Sequence, residues 1–533
     1  MSSIWPLSLL LVGVLVGTVA SAAEPGLTRH GRWLQYNGRY VYIVGIDRQE
    51  LACDPHKDYV KALDQLAQYH INKVRIFSYC YWDPNRYWHP WLYSASTGQF
   101  DLDAWNPLYW QRVKDVIAAA QARDILVEFS LFAAYPADPN WWTDPHTRVA
   151  WSKRFNTNGA FSTNASGHFF PEFFDLTYAE RSHRGKMLRD YQQALVDKAI
   201  AELEAFPNVL FEVANEFFEG VHRLPRGYQV YPWQQYWATY IDQRTSQPVA
   251  VHVHDAMGEL HLDAAGNPIG IRYFWDLPAV DVLTFHLYQT DPAKLAQLLH
   301  GAQVKDKVLQ CNESFTVVAK GVDEVTREAW GWFLAGGYYS LYVDSSADIG
   351  SAPWVQFAQR AKVLRDIAES VPFWQLSPVD HAGKEYDALI RQGPSDQGWQ
   401  LLANPGVAYV AYFWGRASTA SVKMQLASGS YAYTWYDPRD GSVLGNGAVN
   451  GGGIAEMPSP PTAAWHPTVG VVLVIQRGGE AARPPHRAGA LQACPMPSPT
   501  AAWENLTSPP SGTAGTTLMD TTSAVEIEVL ATP

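Results

Sequence analysis

The sequence predicts a (β/α)8 TIM barrel followed by a small β-sandwich and a disordered C-terminal tail. Strand-length apolar runs alternate with helix-period segments from residue 40 onward, the pattern of a parallel sheet with helical crossovers. From about residue 373 the texture changes to short alternating segments separated by Gly, Ser and Pro, as in a sandwich. Beyond residue 478 the chain is rich in Pro, Ala, Ser, Thr and Gly without any period, a composition that cannot bury a core.

Eight barrel strands are expected at Val41 to Ile46, Lys73 to Phe77, Ile125 to Leu131, Val209 to Val213, Val249 to Val253, Val282 to Leu287, Val308 to Cys311 and Tyr338 to Val343. Helices with apolar residues at three- and four-residue spacing are expected at Tyr59 to Tyr69, Tyr109 to Ala122, Lys186 to Ala205, Ala293 to His300, Val325 to Leu334 and Val355 to Glu369. These set a barrel over 24–372 and a sandwich over 373–477, in which Asp437-Pro438-Arg439-Asp440-Gly441 reads as a turn. The tail covers 478–533.

A chain of 533 residues, 47% hydrophobic and 17% charged, can bury one large core and a second smaller one. Its net charge of −12 gives no basic footprint for nucleic acid and favours a neutral partner. Aromatic residues make up 13%, more than a core needs and in keeping with stacking surfaces for sugar rings. Residues 7 to 20 form an uncharged run too short to span a bilayer comfortably. Small residues around Ala20, Ala22 and Ala23 then offer a cleavage site, so 1–23 reads as a signal peptide and the mature protein as secreted. The leader lacks the usual Lys or Arg, which leaves an uncleaved anchor as the alternative. No later stretch looks transmembrane, and a monomer is expected.

The four cysteines, at 53, 80, 311 and 494, are too few for a disulfide scaffold. Cys53 and Cys80 follow the first two strands and should lie near one barrel face, which favours a bridge, whereas Cys311 lies within a strand and should be a buried thiol. Asn164 and Asn505 match the glycosylation pattern in a loop and in the tail. Asn312 matches too, but its place beside the site argues against modification.

Chemistry concentrates at two strand ends. Glu216 in VLFEVANEFFEG and Glu313 in KVLQCNESF each follow an apolar run, and each is preceded by an asparagine. A strand-end glutamate can serve a loop salt bridge, but two at matching positions suggest a catalytic pair, because a buried carboxylate is costly without partners or a chemical use. In such a barrel, active groups lie on the loops at the C-terminal strand ends. The aromatic loops 79 to 93 and 135 to 151, with Trp82 and Trp142, follow strands two and three and should wall the same mouth, either as stacking platforms for sugar or as loop packing.

Arg75 in NKVRIF, the Asn215-Glu216 pair, His286 and Tyr288 in FHLYQ, and Glu313 form an ordered set. With that set, residues 30 to 370 resemble the clan of retaining glycoside hydrolases that carry catalytic glutamates after barrel strands four and seven, most nearly the cellulase-like family 5. The resemblance implies Glu216 as general acid/base, Glu313 as nucleophile, Asn215 on the sugar 2-hydroxyl, Tyr288 on the nucleophile oxygen and Arg75 keeping Glu313 ionised. It implies no cofactor. Glu216 should then start protonated, and a carboxyl separation of about 5–5.5 Å would mean retention of configuration.

The chain departs from that pattern in two places. Strand three (ILVEFSLFAAYP) lacks a histidine, and strand eight (YSLYVDSS) lacks the tryptophan that floors the reacting sugar, leaving Tyr342 or Asp344 for that contact. Glu212 lies two pleats below Glu216 and is expected in an internal ion pair, and Arg75 could serve Glu128 or Glu212 instead of the site. His252 and His254 share one face of strand five and with Asp255 could hold a metal, although His254 or Asp255 could equally line the sugar site. Three readings follow. They are a secreted retaining β-glycosidase acting on a neutral poly- or oligosaccharide, a glycan-binding barrel without catalysis, and a metal-dependent hydrolase. The sandwich is expected to cover the barrel's flank.

Overall fold

A computed structural model describes residues 26–79, 83–133, 148–159, 171–217, 229–253, 271–286, 291–299 in part, 306–314, 320–342, 350–379 and 389–478. Both the leader and the tail lie outside the described residues, as do Cys80 and Asn164. Eight parallel strands close a barrel: Val44–Asp47, Lys73–Phe77, Leu126–Ala133, Val209–Asn215, Val249–His252, Val282–Phe285, Val308–Cys311 and Tyr338–Tyr342. Strand eight pairs with strand one from Tyr339↔Val44 to Tyr342↔Asp47, which completes the ring. Within strand two, Val74 and Ile76 face the helices while Lys73, Arg75 and Phe77 face the lumen, because side chains alternate at a period of two.

The outer helices use the expected segments, at Tyr59–Gln68, Pro107–Gln121, Leu188–Leu203, Val322–Leu334 and Ala352–Ser370, with Val230–Asp242 added between strands four and five. Local capping sets their starts. Asp58 accepts the amide of Lys61, and Asn106 accepts those of Leu108 and Tyr109 ahead of Pro107. Segment 293 to 300 is described only in part.

Two hairpins were not anticipated. Leu27–His30, Trp33–Tyr36 and Arg39–Tyr40 form a three-stranded sheet at the barrel's N-terminal end, where the Leu34 amide donates to the Tyr338 hydroxyl at 2.9 Å. Trp33 there meets the rings of Tyr338 and Phe373 edge-on. The second hairpin, Trp91–Ser94 with Gln99–Trp105, lies within the loop after strand two. Its Trp91 is buried against Trp151, so these members of the aromatic loops pack into the fold instead of walling a cleft. Trp82 and Trp142 lie outside the described residues.

Beyond the barrel, a six-stranded antiparallel sheet packs on a three-stranded one. Alternation along Ala408–Trp414 divides the labour: Tyr409, Ala411 and Phe413 meet Met424, Met457 and Leu473 in the sandwich core, while Val410 and Tyr412 join the barrel core. Tyr412 stacks on Trp330 of helix Val322–Leu334, and Gln476 donates to the Ser370 carbonyl at 3.0 Å. The sandwich thus covers the barrel's flank. The expected turn forms, with the Gly441 amide donating to Asp437 across a left-handed Gly441 at φ +75°.

Cys53 is half of a disulfide, and Cys311 is a reduced, buried thiol whose Sγ donates to the Glu313 carbonyl at 3.2 Å. No helix among the described residues is long and apolar enough to cross a membrane.

Candidate active site

Strands four and seven bring Glu216 and Glu313 to one end of the lumen. One oxygen from each, together with a ring nitrogen of His286, lies within 4.8 Å of the others. His286, fully buried at the end of strand six, sits between them: its Nδ1 is 3.1 Å from Glu216 Oε1 and its Nε2 is 3.5 Å from Glu313 Oε2.

Glu216 is the turning point of strand four. Its φ is +56°, a left-handed conformation that costs a non-glycine residue about 1–2 kcal/mol and is seldom kept without compensation. The compensation is visible: its amide donates to His252 Nδ1 at 2.9 Å. His252 therefore accepts at Nδ1, and support of this bend accounts for its position on strand five. His254 and Asp255, the other residues considered for a metal, lie outside the described residues, as do Tyr288 and Asp344.

Beneath the pair lies a buried polar network. Arg75 grips both oxygens of Glu212, at 2.9 and 3.1 Å, and reaches Asp47 Oδ2 at 3.0 Å, Glu313 Oε2 at 3.4 Å and the side-chain oxygen of Asn215. Asn312, wholly buried, donates to Glu212 at 2.7 Å, which explains why a sequon there is inaccessible. One layer deeper, Lys73 meets Glu128 at 2.5 Å and Gln310 bonds both. The internal ion pair expected for Glu212 is present. Arg75 is wholly buried, with its donors on protein groups, so it braces the site from below and is not a sugar contact.

Arg75 favours the ionised form of Glu313, as expected, while burial and the nearby Glu216 and Asp47 push Glu313 well above the usual carboxylate range. Arg75's shortest contacts go elsewhere. Burial also pushes Glu212 up to about 7 and Asp47 up to about 6, with Arg75 opposing both. Five carboxyls face two cations in this network, so protons must make up part of the balance.

Asp47 escaped the sequence reading, although it ends strand one just as the two glutamates end theirs. The same strand-end argument, applied to YVYIVGID, would have found it. Ser314, next to Glu313, is anchored by the buried Glu328 at 2.7 Å, and no sequence pattern linked the two.

No family model matches the chain, and no curated protein matches it. Solved structures do share its fold. A glycoside hydrolase aligns with 86% of this chain and 98% of its own at 12% identity and a TM-score of 0.57. A glycoside hydrolase family 5 protein from Bacteroides vulgatus ATCC 8482 aligns over 87% and 95% at 12% identity, also with a TM-score of 0.57. A putative glycoside hydrolase from the same organism aligns over 86% and 83% at 13% identity, with a TM-score of 0.56. The chain therefore shares its fold, an eight-stranded parallel barrel followed by antiparallel sheets, with these glycoside hydrolases.

Proposed function

We propose that the protein is a retaining β-glycosidase acting on a neutral poly- or oligosaccharide, with Glu216 as acid/base and Glu313 as nucleophile. The observation that carries this is that one oxygen of each carboxyl lies within 4.8 Å of the other, with His286 between them. That spacing suits direct attack by one carboxylate while the other protonates the leaving oxygen. An inverting pair would stand about 6.5–9.5 Å apart to admit a water. The shared fold and the net charge of −12 support the same substrate class, and the apolar run at 7 to 20 supports export.

In this reading Glu313 attacks the anomeric carbon as Glu216 gives its proton to the glycosidic oxygen. Glu216 then takes a proton from the water that releases the sugar. His286 ties the two states together. A neutral imidazole has one N–H, so the reactive arrangement has Nε2–H donating to the Glu313 carboxylate and Nδ1 accepting from the Glu216 acid. Asn215 would meet the sugar 2-hydroxyl, a role supported by its side-chain amide lying 3.5 Å from Glu216 Oε2.

The test is hydrolysis of aryl β-glucosides, mannosides and xylosides, and of the corresponding β-glycans, by the wild type, Glu216→Ala and Glu313→Ala. Glu313→Ala should abolish turnover on all of them. Glu216→Ala should lose roughly 10²–10⁴-fold on glycans but far less on aryl substrates with good leaving groups. Full turnover by Glu313→Ala would remove the nucleophile, and wild-type binding of glycans without cleavage would leave a lectin-like barrel.

A further inference from the structure

Asp47 is the carboxyl at the mouth that the two-glutamate reading leaves without a task. It ends strand one, is wholly buried, and presents Oδ2 to Arg75 Nη1 at 3.0 Å and to the Gln49 amide at 3.3 Å. That same Nη1 serves Glu313 at 3.4 Å, so two acids compete for one nitrogen. The other oxygen of Asp47 is buried without a hydrogen-bond donor, and the shared Arg75 Nη1 holds Asp47 Oδ2 and Glu313 Oε2 side by side. Two ionised carboxylates in contact only repel. A single proton held by the pair relieves that repulsion and the charge imbalance.

We infer that Asp47 is a positioning residue for Glu313, the two carboxyls holding one proton between them that passes to Asp47 when Glu313 must act as an anion. The inference rests on the nucleophile assignment above and deepens it. The step is balanced: the O–H bond of the Glu313 acid breaks, an O–H bond forms on the Asp47 carboxylate, and total charge is unchanged. Glu313 is left with Arg75 Nη1 undivided, since a protonated Asp47 no longer competes for it as an anion.

The surrounding groups set the direction. Arg75 and Lys73 come from strand two, Glu128 from strand three, Glu212 and Glu216 from strand four, His252 from strand five and His286 from strand six. Burial and neighbouring acids lift both members of the pair above ordinary carboxylates, so the pair keeps a proton that has to leave Glu313 before it attacks, and an anionic Asp47 makes that loss harder.

Asp47→Asn removes the competing anion yet leaves Arg75 compensated by Glu212 and Glu313. The experiment records the pH profile of kcat/KM on whichever aryl β-glycoside the wild type cleaves fastest. The acid limb of Asp47→Asn should move down by about one pH unit, a tenfold gain in relative rate at the acid end. Infrared difference spectra on a pH jump should lose one buried protonated carboxyl near neutral pH. Gln49→Leu, which makes Asp47 easier to protonate, should shift the limb the same way by less, and it serves as the second variant if Asp47→Asn does not fold. An unmoved acid limb in the folded variants, with Glu313→Ala inactive, would overturn the role of Asp47 alone. Wild-type turnover by Glu313→Ala would instead remove the nucleophile and this inference with it.

Discussion

The barrel lumen and the sandwich core are closed by the same kind of alternating strands, yet they are filled in opposite ways. A barrel of this kind ordinarily packs its interior with branched aliphatic layers. Here the lumen holds Lys73, Arg75, Glu128, Glu212, Gln310 and Asn312, all buried. The sandwich core between its two sheets is Tyr409, Phe413, Met424, Trp435, Met457, Leu473 and similar groups. Replacing buried ion pairs by apolar residues is often neutral or stabilising, so a charged lumen is poorly explained by stability. Its position directly under Glu216 and Glu313 supplies the explanation: the network fixes where carboxylates sit and which of them carry protons. The core between the two sandwich sheets faces no such demand and is packed with apolar and aromatic groups.

Breaking each region should therefore fail differently. The largest effect is expected from Arg75→Leu, which strands Asp47, Glu212 and Glu313 together. Breaking a single buried pair costs about 3–5 kcal/mol, so this change should lie at or above the upper end in denaturant unfolding and abolish activity in whatever folds. Trp435→Ala in the sandwich should cost about 3 kcal/mol by the same assay. Its kcat/KM on aryl glycosides should stay at the wild-type value, and a large loss there would show that the two regions are coupled in function.

The smallest effect sharpens the electrostatic side. Burial pushes Glu328 up to about 7 from an unfolded value near 4.5, opposed by Lys320, Ser314 and Tyr339. The native state thus binds a proton more tightly than the unfolded chain. Its contribution is present below the unfolded value and is lost as pH rises through about 7. Glu328→Gln should flatten the fall of melting temperature between those pH values, by an amount worth at most about 3 kcal/mol. An equally steep fall in the variant would place the proton elsewhere.

The same contrast explains what could be read from the chain. Strands Lys73–Phe77 and Val308–Cys311 fall where their apolar runs placed them, because local period and burial agree there. The turn at 437 to 441 was legible for the same reason, being encoded by its own residues. The hairpin at Leu27–Tyr36 was not, since its short strands gain their stability from Tyr338 and Phe373, some 300 residues away in sequence.

At the site, Glu216 and Glu313 announced themselves as polar residues ending apolar strands. Which group holds the proton did not, because it depends on how five strands aim their side chains. The left-handed turn at Glu216 reorients it relative to Glu212, an event that strand parity cannot foresee. For Arg75 the sequence left Glu313 and the internal acids Glu128 and Glu212 as alternative partners, and the closed barrel shows Glu212 taking both arms of the guanidinium while Nη1 also reaches Glu313.

The central claim is that Glu216 and Glu313 flank one glycosidic bond closely enough for direct attack. Proton NMR of the first product released from an aryl β-glycoside, followed before mutarotation, tests it most directly. The β-anomer should appear first, through a glycosyl ester on Glu313. Initial release of the α-anomer would mean that water, and not Glu313, attacks the sugar, and would contradict it.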